Sequence, residues 1–141
     1  GLEVHLPFLQ TLFTRFTLVP LLAGACAPED IAAALRPFTA PGDLIVVSSD
    51  LSHFHESDEA RRLDHRTAQR VEALQPLAAG DACGRLPING LLHLARELGW
   101  HARAVDLCNS GDTGGPPHRV VGYGAFLFHT SLSETKAPPL S

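Results

Sequence analysis

Apolar positions along this chain are arranged in two ways: some recur at helical spacing, and others form short continuous runs suited to strands. Leu6, Leu9, Leu12, Phe13 and Phe16 recur at three- and four-residue intervals, which predicts a short helix over about residues 6–15. Residues 16–22 are apolar and rich in strand formers, and Gly24 ends the run, so a buried strand is expected there. Pro28 followed by Glu29 and Asp30 suits a helix start: proline lacks only an amide that would have no partner, and the acidic groups meet the positive dipole end. This helix should end near Arg36, before Pro37.

After the Pro41-Gly42 turn, the continuous run 44–47 reads as a strand buried on both faces, as in a parallel sheet. Residues 57–74 read as a charged, mostly exposed helix with Ala60, Leu63 and Val71 able to face inward. Residues 78–84 read as a loop, and 88–98 as a second clear helix stopped by Gly99. Residues 102–108 and 119–129 read as strands joined by a turn-rich loop at 109–117. The last strand can run antiparallel to its predecessor, since only a loop separates them. Residues from about 131 read as a tail or linker. The element order predicts a layered α/β domain with a central, mostly parallel sheet flanked by helices. The domain should fill residues 1–130, followed by the tail at 131–141.

Composition narrows the function. With 141 residues the chain suits one domain able to bury a core. The net charge of −4 argues against a nucleic-acid surface, which needs an excess of Lys and Arg. No apolar run approaches the ~20 residues of a membrane span. Three cysteines without close spacing are not a disulfide framework, and a reducing cytoplasm is the simplest setting. The chain begins at Gly1 and contains no methionine, which fits removal of a single initiator by processing and fits a fragment or piece of a longer polypeptide at least as well.

The strongest chemical cluster is Asp50-Leu51-Ser52-His53-Phe54-His55-Glu56, just past the candidate strand at 44–47. Asp50 and His53 there can position a metal or orient each other for acid–base work; alternatively Asp50 and Ser52 cap the next helix and the histidines face solvent. Cys83 precedes Gly84, Arg85 and a helix start, where a positive field favours thiolate; the alternative is a packing cysteine. Glu3 and His5 would share one side of an extended segment and line a pocket, unless His5 is a hydrogen-bonded core residue. The run Asn109-Ser110-Gly111-Asp112-Thr113-Gly114-Gly115 is either an anion nest or a plain turn-rich loop. The remaining histidines read as surface or packing residues. Neither a zinc-finger pattern nor a Gly-x-Ser-x-Gly elbow is present, which leaves a Cys83–His53 nucleophile pair as a weaker hydrolase reading.

Five segments in this order resemble the Memo family, known in bacteria and archaea as AmmeMemoRadiSam system protein B. They are Leu2-Glu3-Val4-His5-Leu6-Pro7-Phe8, Val46-Val47-Ser48-Ser49-Asp50-Leu51-Ser52-His53, Cys83-Gly84-Arg85-Leu86-Pro87-Ile88, Asn109-Ser110-Gly111-Asp112-Thr113 and Val121-Gly122-Tyr123-Gly124-Ala125-Phe126. The resemblance implies the C-terminal portion of a domain folded like the class III extradiol dioxygenases. It also implies a pocket holding iron, copper or zinc, with Cys83 as metal ligand and His53 and Asp50 as acid–base group and orienting carboxylate. Glu3, His5 and Arg85 are further pocket candidates. Two histidine ligands of the family lie in Ala-Pro-His-Ala-Gly-Tyr and Gly-Pro-Ser-His-His segments, neither of which this chain contains. On this basis the chain is either a metal-dependent redox or oxygen-using protein or a non-catalytic binder of a peptide or partner. The implied partners are an AMMECR1-type protein and a radical SAM enzyme. Apolar surface left uncovered by the missing half would favour a homo-oligomer.

Overall fold

A computed structural model describes residues 1–130. The described residues form four helices, α1 (Leu6–Leu12), α2 (Pro28–Leu35), α3 (Ser57–Glu72) and α4 (Arg85–Leu98), and three strands, β1 (His53–His55), β2 (His101–Asn109) and β3 (Val120–His129). Short 3-10 turns occur at Leu2–Val4, Arg36–Phe38 and Ser110–Thr113. The fold is α/β. Its sheet has the order β1-β3-β2, and both pairings are antiparallel. The expected mostly parallel sheet is therefore not what the described residues form.

The helices begin and end where local chemistry dictates. Asp30 accepts the Ala27 amide at the start of α2, and Pro28 occupies its first position. Gly99 ends α4 in the left-handed conformation. Two apolar clusters hold the layers together. One joins α2 to α4 through Ile31, Ala32, Leu35, Leu91 and Leu94, with Ile45, Val47, Trp100 and Phe128 packed against it. The other gathers Leu51, Val71, Leu77, Ala82 and Leu92, and sits beneath Leu107 and Phe126 of the sheet. Asn89, buried on α4, accepts the Leu77 amide at 2.7 Å and donates to the Leu77 carbonyl at 3.0 Å, which pins the 73–84 loop to the core.

Two strand expectations are corrected. Residues 16–22 form no strand, and their apolar side chains are exposed, Leu22 almost completely. Residues 44–47 also pair with no strand among the described residues. They alternate instead, with Leu44 and Val46 exposed while Ile45 and Val47 reach the α2–α4 cluster. A continuous apolar run forms a buried strand only where other strands supply backbone partners on its edges, and among the described residues neither run has them. A cleft of about 490 Å³ opens between the 43–49 segment and β3, lined by Ile45, Val47, Leu51, Leu91, Phe126 and Phe128 among others. The tail expected from residue 131 lies outside the described residues.

Candidate metal centre

From Leu51 the chain is anchored to β3. The Leu51 amide donates to the Gly122 carbonyl at 2.9 Å, and the Gly122 amide donates to the Ser52 carbonyl at 2.8 Å. β1 then pairs with β3, with a bulge between His53 and His55. The bulged residue, Phe54, has φ of 64°, a left-handed conformation that costs a bulky side chain about 1–3 kcal/mol. Bulges re-aim neighbouring side chains, and this one sits beside His53, whose ring meets Phe54 edge-on while Arg119 lies over the Phe54 ring.

The α4 start is brought to the same place by a second set of hydrogen bonds. The Cys83 amide donates to the Asp50 carbonyl at 3.2 Å, and the Asp50 amide donates to Cys83 Sγ at 3.1 Å. Ser49 Oγ accepts the Gly84 amide at 2.8 Å, donates to the Asp50 carbonyl at 2.7 Å and lies 3.6 Å from Cys83 Sγ. This contact requires glycine at 84, because a Cβ there would lie 2.7 Å from Ser49 Cβ and 3.0 Å from the Ser48 carbonyl oxygen. The Cys83-Gly84 pair thus lets one helix start press against the 48–50 backbone.

The result is a convergence of three donor side chains. A carboxylate oxygen of Asp50, a ring nitrogen of His53 and Sγ of Cys83 all lie within 4.8 Å of one another. Asp50 Oδ2 is 3.7 Å from His53 Nε2. Two donors on one ion are separated by at most twice a bond of about 2.0–2.3 Å, so the trio is spaced for a single ion to within a small rotation of its side chains. Asp50 and His53 are half-buried and Cys83 is exposed. The thiol–imidazole–carboxylate set suits zinc, iron or copper better than calcium or magnesium, which take oxygen ligands.

Other candidates are placed elsewhere. Glu3 lies in the first 3-10 turn and His5 at the start of α1, both helical rather than extended, and neither belongs to the trio. Arg85 is the first residue of α4, next to the site but not among its donors. The 109–115 segment is a self-satisfied turn and not an open nest. Asn109 Oδ1 accepts the Gly111 amide, Asp112 accepts the Asn109 amide, and Ser110 Oγ accepts the Val121 amide. The Asn109 amide, and then the Arg61 guanidinium beside it, hold the Asp112 carboxyl below the usual range despite some burial. Burial, with Asp106 and Asp112 nearby, pushes the Cys108 thiol up.

With the geometry in view, comparison with known proteins assigns the family. The pattern for Memo-like proteins matches residues 1–127. This chain belongs to the Memo family. It is 33% identical to a MEMO1 family protein of Thermotoga maritima and 34% identical to one of Sulfolobus acidocaldarius, covering 91% of this chain and 50% of each relative. A MEMO1 family protein of Methanosarcina acetivorans is 30% identical over 90% of this chain and 54% of its own length. This Memo-family chain therefore spans about half the length of the curated relatives it matches. No described helix is long and apolar enough to cross a membrane.

Two residues of the site escaped the sequence reading as functional positions. Ser49 is legible in the sequence only as a member of the 46–53 segment that resembles the family. The other, Asp64, carries a signal that was available. It falls on the same α3 face as Ala60, Thr67, Ala68 and Val71, all buried, and a carboxylate on an inward helical stripe needs a partner.

Proposed function

We propose that this chain contributes part of a metal centre to a Memo-family protein, with Cys83 as thiolate ligand, His53 as the acid–base group and Asp50 as the carboxylate that orients it. The observation that carries this reading is the approach of Cys83 to Asp50 from 33 residues away along the chain, through paired backbone and sulfur hydrogen bonds, which also brings it within reach of His53. The family resemblance assigns two further histidine ligands to segments that do not occur in this sequence. Iron, copper or zinc is the metal class that the donor set favours. A metal-dependent redox function, with a fold related to the class III extradiol dioxygenases, is the activity this reading supports.

The test is metal content after anaerobic loading with iron or copper. Cys83→Ser should retain much less metal than the parent chain, and equal content in the two would sink the assignment. The apolar cleft between residues 43–49 and β3 favours a second reading, a docking site for a peptide or partner protein. The AMMECR1-type protein and the radical SAM enzyme are its candidate occupants, and a pull-down that retained neither would count against them.

A further inference from the structure

We infer that Asp64 is the positioning residue that sets the geometry of the Asp50–His53–Cys83 trio, acting through the Ser52 backbone. The inference rests on the metal-centre reading for its consequence, but the contacts that carry it are independent of any ion.

Asp64 lies in the middle of α3, where its residue surface is only 4% exposed. Its Oδ1 accepts the Ser52 amide at 2.9 Å, across 12 residues of sequence. Its Oδ2 occupies the space directly over Gly122, where a Cβ would lie 1.9 Å from that oxygen and 2.6 Å from Cγ. Gly122 itself exchanges hydrogen bonds with Leu51 and Ser52. One carboxyl group is therefore wedged between the 51–52 backbone and β3, at the point where the chain leaves Asp50 and enters His53.

No other described side chain does this job. The Ser52 hydroxyl is buried and finds no hydrogen-bond partner among the described residues, so the side chain of Ser52 does not anchor its own segment. The Ser52 amide is satisfied by Asp64 instead. Removing that acceptor leaves a buried N–H without a partner, and the segment can recover hydrogen bonding only by moving. Asp50 lies two residues before Ser52 and His53 one after, so both side chains move with it. Cys83 follows through its two hydrogen bonds to Asp50. The bareness of Gly122 is the counterpart of the same contact, since any side chain there would displace the carboxyl group.

Two near-isosteric variants of the full chain separate the acceptor from the volume it fills. Asp64→Asn keeps an oxygen for the Ser52 amide, whereas Asp64→Leu fills the space without one. Titration with Co(II), read by its thiolate charge-transfer absorption, should show Asp64→Leu binding about 10- to 100-fold more weakly than the parent, as for other residues that orient metal ligands, with Asp64→Asn restoring affinity and band shape. A folded Asp64→Leu chain with parental affinity and an unchanged band would overturn the inference.

If the parent chain itself binds no Co(II), the metal reading fails and the positioning role is decided by Cys83. Its alkylation by iodoacetamide, followed by peptide mass spectrometry, should be several-fold faster in Asp64→Leu than in the parent and Asp64→Asn chains, and equal rates in all three refute the role. Should Asp64→Leu fail to fold, hydrogen exchange in the parent decides. The Ser52 amide should be among the slowest outside the helices, and exchange as fast as an open loop amide refutes the anchor.

Discussion

Two short stretches of this chain meet opposite fates. Residues 16–22 are exposed and form no strand, whereas residues 51–55, no more apolar, are anchored into the sheet and against α3. The difference is not hydrophobicity. The second stretch has β3 alongside to exchange backbone hydrogen bonds, and Val71 of α3 and Leu92 of α4 to cover Leu51. The first has neither among the described residues. Burial is a property of a surface pair, and a sequence displays one member of the pair at a time.

The contrast predicts a graded set of outcomes. The largest is at Leu92, which has 0% exposure and sits in the cluster beneath the site, so Leu92→Ala should cost about 2–5 kcal/mol in chemical denaturation. Leu22→Ala, at a position 99% exposed, should change stability by less than about 0.5 kcal/mol. A large loss at Leu22 would break the comparison by showing that the first stretch is covered in solution.

Next come two glycines. Gly84→Ala forces a Cβ into Ser49 and should cost about 1–3 kcal/mol, with loss of metal uptake. Gly24→Ala meets open space and should be close to neutral, as a melting comparison of the two would reveal.

A smaller effect concerns pH. The lowered pKa of Asp112 means the folded state binds its proton less readily than the unfolded state. Its contribution is present above the ordinary carboxylate range and fades as pH falls through the lowered value. Asp112→Asn should flatten that part of the acid limb, and an unchanged acid limb would show that the turn does not use the charge. Thiol reactivity gives the finest comparison. Cys26 and Cys83 are exposed, whereas Cys108 is partly buried with its pKa raised, so Cys108 should be alkylated last at neutral pH.

Much of this was legible before folding. Pro28, Glu29 and Asp30 announced α2, the 88–98 periodicity announced α4 with Gly99 as its stop, and the turn-rich loop after 108 announced an antiparallel return. Helices depend mainly on contacts within a few residues, so their signals are local. The runs at 16–22 and 44–47 misled because periodicity reports which residues want burial, not whether neighbouring strands exist. Glu3 and His5 do not share one side of an extended segment, because the backbone there turns helical.

For the candidate centre, the chain by itself determined the chemistry: a carboxylate, an imidazole and a thiol, each beside a predicted element end, in the order of the Memo family. Only the tertiary structure decided that they meet. It did so through contacts no spacing rule contains, namely Cys83 against Asp50 across 33 residues, Gly84 against Ser49, and Asp64 holding the Ser52 amide across 12. The physical reason is that donor identity is written residue by residue, whereas the distance between donors is set by which backbones can approach, and that depends on what the rest of the fold leaves room for.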